Sequence, residues 1–145
     1  MIRQQPPEAL CIHPKIGDVY MVQFDGSGSV QRGYRPGVVF SNNKGNENSP
    51  NVIVLPLTTS LKKLSLPTHV LLDAQECGLK YTSMVLCENP QCVPKSSMTR
   101  FITHLSDEKC AMIAEAYLIA SSGIAFLDIK TLISTWESAI RMNAS

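Results

Sequence analysis

The feature that most constrains this chain is the rhythm of its apolar runs. They are short, rich in β-forming residues and separated by polar punctuation, and helical periodicity appears only near the end. Residues 18–24 (DVYMVQF), 37–41 (GVVFS) and 51–57 (NVIVLPL) are dense in Val, Ile, Tyr and Phe and read as strands. Pro56 near the end of the third run predicts an edge or a bulge there. Residues 68–72 and 83–88 give two more strands around the turn-prone QECG at 75–78, and residues 98–105 alternate as a strand with one wet face does. DGSGS at 25–29 and NNKGNENSP at 42–50 read as a turn and a polar loop. Ser106 then suits an N-cap, with Asp107 and Glu108 in the first turn and Cys110, Ile113, Tyr117 and Leu118 at helical spacing. Gly123 is placed as a helix stop, and Ile129, Leu132, Ile133, Trp136 and Ile140 form the stripe of a second amphipathic helix. Strands followed by helices imply a mainly β (α+β) fold, a small antiparallel barrel with terminal helices.

Composition narrows the function classes. At 145 residues the chain is one domain. Residues 1–16, with Pro6, Pro7 and Pro14, read as an N-terminal extension. The formal net charge of +1 excludes coating of nucleic acid or membrane by bulk charge, but not a local grip on a few phosphates. The five cysteines are odd in number and none forms CxxC, which argues against a disulfide framework or a zinc knuckle. MIRQQPPEAL has no apolar run and reads as no signal peptide. Residues 113–133, the most apolar stretch, are interrupted by Glu115, Asp128 and Lys130, so no membrane span is expected. The expectation is a soluble, cytoplasmic, reduced protein.

No cofactor or metal motif is present. His13, His69 and His104 are far apart and lie in no ligand pair, and GxSxG, P-loop and GxGxxG patterns are missing. Cys87 reads as a buried strand cysteine. His69 and His104, in strand-like segments, read as structural, and Trp136 as core or dimer packing. The polar residues flanking the apolar runs stand out: QRGYRP at 31–36, Asn42, Asn43, Asn46, Ser49 and Pro50, then Thr58, Thr59 and Ser60. A barrel brings such groups onto one rim. Arg35, restricted by the following Pro36, offers a planar fork suited to phosphate, and Thr58 a hydroxyl donor. The same residues are equally compatible with solvated loops, and Lys62–Lys63 with either a solvated face or steering of RNA.

The ordered run GDVYMVQF (17–24), QRGYRPGVVFSN (31–42), GNENSPNVIVLPLTT (45–59), KLSLPTHVLL (63–72), GLKYTSMVLCEN (78–89) and HLSDE (104–108) resembles the MazF/PemK family of type II toxin–antitoxin endoribonuclease toxins. The resemblance covers residues 17–123 and leaves 124–145 as a C-terminal helical extension. It implies an SH3-like barrel of the CcdB-like type, a symmetric homodimer, and a cognate MazE/PemI-like antitoxin whose tail occupies the RNA groove, with operator DNA reached only through the antitoxin. It implies metal-independent, sequence-selective cleavage of single-stranded mRNA without a cofactor, leaving 2′,3′-cyclic phosphate and 5′-hydroxyl ends. Arg35 and Thr58 match the catalytic pair, and Glu88 in CENP matches an acid engaged in proton transfer. Ser29, Gln31, Ser49, Thr59 and Asn89 match substrate-binding positions. Leu86 and Gln91 replace arginines found in relatives, and Val30 an acid, which shifts work onto Arg35. A toxin of the same fold that binds DNA gyrase, or a member that binds RNA or antitoxin without cutting, are the alternatives. Arg35, Thr58 and the NSP loop speak against the first.

Overall fold

A computed structural model of the chain describes residues 12–25 and 33–143. The elements run β1 (Asp18–Phe24), β2 (Gly33–Val39), α1 (Asn43–Asn48), β3 (Asn51–Thr58), β4 (His69–Leu72), α2 (Ala74–Cys77), β5 (Ser83–Leu86), β6 (Gln91–Pro94), β7 (Met98–His104), α3 (Asp107–Ser121) and α4 (Ile129–Asn143). The seven strands form one antiparallel sheet in the order β4-β5-β3-β2-β1-β7, with β6 also on β3. The mainly β class with C-terminal helices is as the sequence implies. The ladder path ends at β4 and β7, however, so the sheet is curled but open rather than a closed ring.

Alternation along the strands splits the core in two. Val19, Val38, Leu55 and Leu57 face one side, where Ile113 and Ala116 of α3 cover them. Tyr20, Val22, Phe24, Val39, Val52 and Val54 face the other and close on Val93 and Met98. Burial on both faces explains why β3 reads as a continuous apolar run rather than an alternating one. Gly37 marks the tightest approach inside the second cluster, where Val54 and Phe24 occupy the space a side chain would need.

Three local expectations are corrected. The NNKGNENSP loop contains a helix, α1, because Asn42 caps it by accepting from the Gly45 N–H at 2.8 Å, and because Asn46 is fully buried beneath it. The Asn46 amide donates to the Ser41 carbonyl at 2.8 Å, and its Oδ1 accepts from the Ser41 hydroxyl. QECG likewise forms α2, with Asp73 at its N-cap and Gly78 in the left-handed conformation at its end. α3 stops at Ser122 (φ 53), one residue before Gly123, which opens a 3-10 turn instead.

α4 begins as its pattern demands, with Asp128 accepting from the Thr131 N–H at 2.7 Å. Its apolar stripe is nevertheless exposed within the protomer. Trp136 is 64% exposed, so it does not enter the protomer's core. The helix meets the sheet domain at α1, where Asn143 Oδ1 accepts from the Asn43 N–H at 2.9 Å. No helix among the described residues is long and apolar enough to cross a membrane.

Candidate active site

Arg35 and Thr58 lie near one end of the β2–β3 ladder. β2 pairs with β3 through Gly37 and Pro56, Val38 and Leu55, and Val39 and Val54. The pairing ends there, with Arg35 two residues beyond Gly37 on β2 and Thr58 two residues beyond Pro56 on β3. Arg35 shares the face of Gly37 and Val39, and Thr58 that of Val52 and Val54, so both project from one side at the open end of the second core cluster. Neighbouring ladders extend this row, since Thr58 pairs with Met84 and Arg35 with Val22. Arg35 is half-buried and its Nε is shielded from solvent, so the stem is held by the strand while the residue remains partly accessible. Thr58 Oγ1 accepts from the Ser60 N–H at 3.1 Å, which leaves the hydroxyl proton to be given elsewhere. Thr59 follows directly and is exposed. A fixed guanidinium and a directed hydroxyl on one face are the donors that a phosphate's oxygens accept.

Glu88 and Asn89 sit where the partner of β3 breaks. β5 pairs with the end of β3 (Leu57 with Val85, Thr58 with Met84) and β6 with its beginning (Val54 with Gln91, Asn51 with Pro94). Four residues, Cys87 to Pro90, therefore stand beside Leu55 and Pro56, and they leave the sheet in a turn closed by the Asn89 N–H on the Leu86 carbonyl at 3.1 Å. Pro56, which lacks a ladder donor, falls at this break, on a strand that lies inside the sheet between β2 on one side and β5 and β6 on the other.

His69 completes this corner. Its Nε2 lies 2.7 Å from Glu88 Oε1, and its Nδ1 lies 2.9 Å from the Lys63 carbonyl oxygen. His69 was legible only as a strand histidine, because nothing in the sequence links it to an acid 19 positions away. His104 pairs with Asp18 at 2.7 Å, and Asp18 also accepts from the Lys15 N–H, which keeps this pair in a structural role at the base of β1.

Ser49 is not brought to Arg35 and Thr58. It ends α1, its Oγ accepts from the Asn51 N–H at 3.1 Å, and it precedes the opposite end of β3, about 23 Å from Thr58 at ~3.3 Å per residue. Ser29 and Gln31 lie outside the described residues. Among the described residues no three His, Cys, Asp or Glu side chains converge as a metal site would require. Surface clefts of about 600 Å³ lie between α1 and α4, at Lys15, Lys44, Glu47 and Arg141, and beside α3, and neither includes Arg35, Thr58 or Glu88.

Cys87 heads the excursion but is no nucleophile. Burial, and then the charge of Glu88, push its thiol up to about 12.

Comparison with known proteins covers the segment that holds the sheet and α3. A family model described as PemK-like, MazF-like toxin of type II toxin–antitoxin system matches residues 15–120. Endoribonuclease EndoA of Bacillus subtilis (strain 168) is 40% identical over 113 residues, spanning 77% of this chain and 97% of that protein. The solved structure of Mycobacterium tuberculosis toxin MazF-mt6 superposes with a TM-score of 0.62 at 28% identity, covering 72% of this chain and 96% of that one. An endoribonuclease from a mycobacterial species, solved in complex with its cognate antitoxin, shares the fold with a TM-score of 0.62 at 22% identity, covering 76% and 96%.

Proposed function

The chain belongs to the PemK-like, MazF-like toxins of type II toxin–antitoxin systems, and from that premise we propose that this endoribonuclease cuts single-stranded mRNA at short sequence contexts, without a metal ion, by using the RNA's own 2′-hydroxyl as nucleophile. The observation that supports the reading is that Arg35 and Thr58 each lie two residues beyond the Gly37–Pro56 pair, at the same end of the β2–β3 ladder. RNA supplies the attacking oxygen, so the protein needs only to orient the strand, exchange protons and stabilise charge. Charge gathers on the phosphoryl oxygens as the 2′-oxygen attacks, and a guanidinium with an adjacent hydroxyl opposes it. Arg35 remains charged throughout, so it acts as an electrostatic donor and not as a base. Glu88 supplies the carboxylate that exchanges the proton. The products are a 2′,3′-cyclic phosphate and a 5′-hydroxyl end.

Thr59 and Asn89 flank Thr58 and Glu88 and bind the nucleotides on either side. Ser29, Gln31 and Ser49 contact more distant parts of an extended strand. Single strands are favoured because bases in a duplex are stacked out of reach. The working form is a symmetric homodimer in the cytoplasm, restrained by a cognate antitoxin that covers the RNA groove and alone contacts operator DNA. A toxin that only binds a protein target such as DNA gyrase has no use for the Arg35–Thr58 arrangement.

The test is direct. Purified protein in EDTA is incubated with a long single-stranded transcript and the fragment ends are sequenced. Cuts at a few short contexts, bearing 5′-hydroxyl ends and lost in Arg35→Ala, are the expected result. An uncut transcript, or equal cutting by Arg35→Ala, overturns the proposal.

A further inference from the structure

Glu88 is held from outside its own strand. The excursion that carries it is fixed by backbone at Leu86 and Asn89, whereas its carboxylate is fixed by His69 of β4, three strands from β2. The imidazole is the anchored member of this pair, with its side chain 6% exposed against 37% for Glu88. Its second nitrogen is also occupied. The Lys63 carbonyl only accepts, so His69 Nδ1 carries a proton there. With Nδ1 protonated, the 2.7 Å contact between Nε2 and Glu88 Oε1 requires one further proton, on the ring or on the carboxyl. Without it a ring lone pair would face a carboxylate oxygen. The His69–Glu88 bridge thus holds one proton whenever it is closed.

The Lys63 end of the bridge is equally specific. Lys63 adopts a left-handed backbone (φ 56), and its carbonyl also accepts from the Leu66 N–H at 3.1 Å. The loop tied down in this way is the one that leaves Thr58. One buried ring therefore joins the segment following Thr58 to the excursion bearing Glu88.

We infer that His69 is a positioning residue for RNA cleavage: it ties the loop after Thr58 to Glu88, fixes the direction of Glu88 Oε1 and keeps one proton on the bridge, leaving Oε2 outside it. This rests on the endoribonuclease reading above and extends it to a residue that makes no contact with the reacting phosphate. No bond changes at His69 itself.

The experiment measures kcat and KM of the full chain on a long single-stranded transcript in EDTA, for the wild type, His69→Ala, His69→Gln, Glu88→Gln and the His69→Ala/Glu88→Gln double variant. His69→Ala lowers kcat about 10²-fold with KM nearly unchanged, as expected for disturbed proton exchange. His69→Gln, whose amide still donates to Oε1, recovers part of the loss. The double variant is no slower than Glu88→Gln, because His69 acts only through Glu88. In the free protein, nitrogen NMR of the His69 ring shows Nδ1 protonated and an Nε2 signal that moves in Glu88→Gln. Equal kcat in wild type and both His69 variants, additive losses in the double variant, or a ring protonated only at Nε2 overturns the inference while leaving the endoribonuclease reading intact. A wild type that cuts no RNA overturns both.

Discussion

Gly37 packs against Val54 so closely that a Cβ built on the glycine falls 2.4 Å from Val54 Cγ1, with Phe24 Cζ at 3.0 Å. Gly37, opposite Pro56, is also the last β2–β3 pair before Arg35, two residues away along β2. Gly37→Ala should cost about 1–3 kcal/mol through overpacking, read as a lower urea midpoint at constant m-value. Adding Val54→Ala should return part of that loss, because it removes the methyl group in the way. An unchanged midpoint in Gly37→Ala would mean that β2 and β3 separate at no cost.

Asn46 makes a second stability prediction. It is fully buried, and its amide satisfies Ser41 at both ends while the Ser41 hydroxyl also accepts from the Ile53 N–H at 3.1 Å. Asn46→Ala strands buried partners on Ser41 and should cost about 1–3 kcal/mol. The loss should appear in global unfolding by urea, since Ser41 links α1 to β3 of the central sheet. A loss of α1 alone, with the midpoint unmoved, would contradict this.

β1, β3 and β5 were legible because each is a dense apolar run that the sheet buries on both sides. β6 was not, because Gln91–Pro94 carries one buried apolar side chain, Val93, and is defined by pairing with β3 rather than by pattern. α1 was hidden for the opposite reason: Asn and Gly favour loops, and only the burial of Asn46 reverses that preference. The RP dipeptide and the TT at the end of β3 singled out Arg35 and Thr58, and both lie at the same end of the β2–β3 ladder. His69 and Glu88 could not be linked in advance, since their meeting depends on β4 pairing with β5 and on the four-residue excursion after Leu86. The stripe on α4 was read correctly as a helix face, but periodicity says nothing of whether a face is covered within one protomer.

Cysteine chemistry should report the core directly. Cys92 is exposed, whereas Cys87 is fully buried, with burial and then Glu88 raising its thiol to about 12. Labelling with iodoacetamide at pH 8.5, mapped by mass spectrometry, should modify Cys92 while Cys87 lags about 10³-fold, in proportion to its thiolate fraction. Comparable rates at the two sites would show that the excursion opens readily.

The same shift fixes the sign of an alkaline effect. Burial raises Cys87, Cys77 and Cys110, and it raises Tyr20, so the folded state holds these protons when the unfolded chain releases them. Their contribution is fully present below pH 9 and is lost as pH rises through the folded values, toward about 12 for Cys87. The urea midpoint should therefore fall steadily above pH 9. A midpoint that rises over this range would contradict the burial of these groups.

Thr58 allows the phosphate reading to be separated from simple strand packing. Its Oγ1 already accepts from the Ser60 N–H at 3.1 Å, so the hydroxyl has one orientation for its own proton and a role in shaping the turn. Thr58→Ser keeps both properties and should cleave RNA within about threefold of wild type, whereas Thr58→Val removes the donor at nearly constant volume. If the hydroxyl stabilises charge on the phosphoryl oxygens, Thr58→Val loses about 10²-fold in kcat with little change in KM, the usual size of one lost donor to a developing anion. Arg35→Lys should be damaged as well despite its retained charge, because an ammonium cannot reproduce the planar fork. Paired measurements on the double variant Arg35→Lys/Thr58→Val decide whether the two act on one phosphate: shared action gives a loss smaller than the product of the single losses, and independent action gives the product itself.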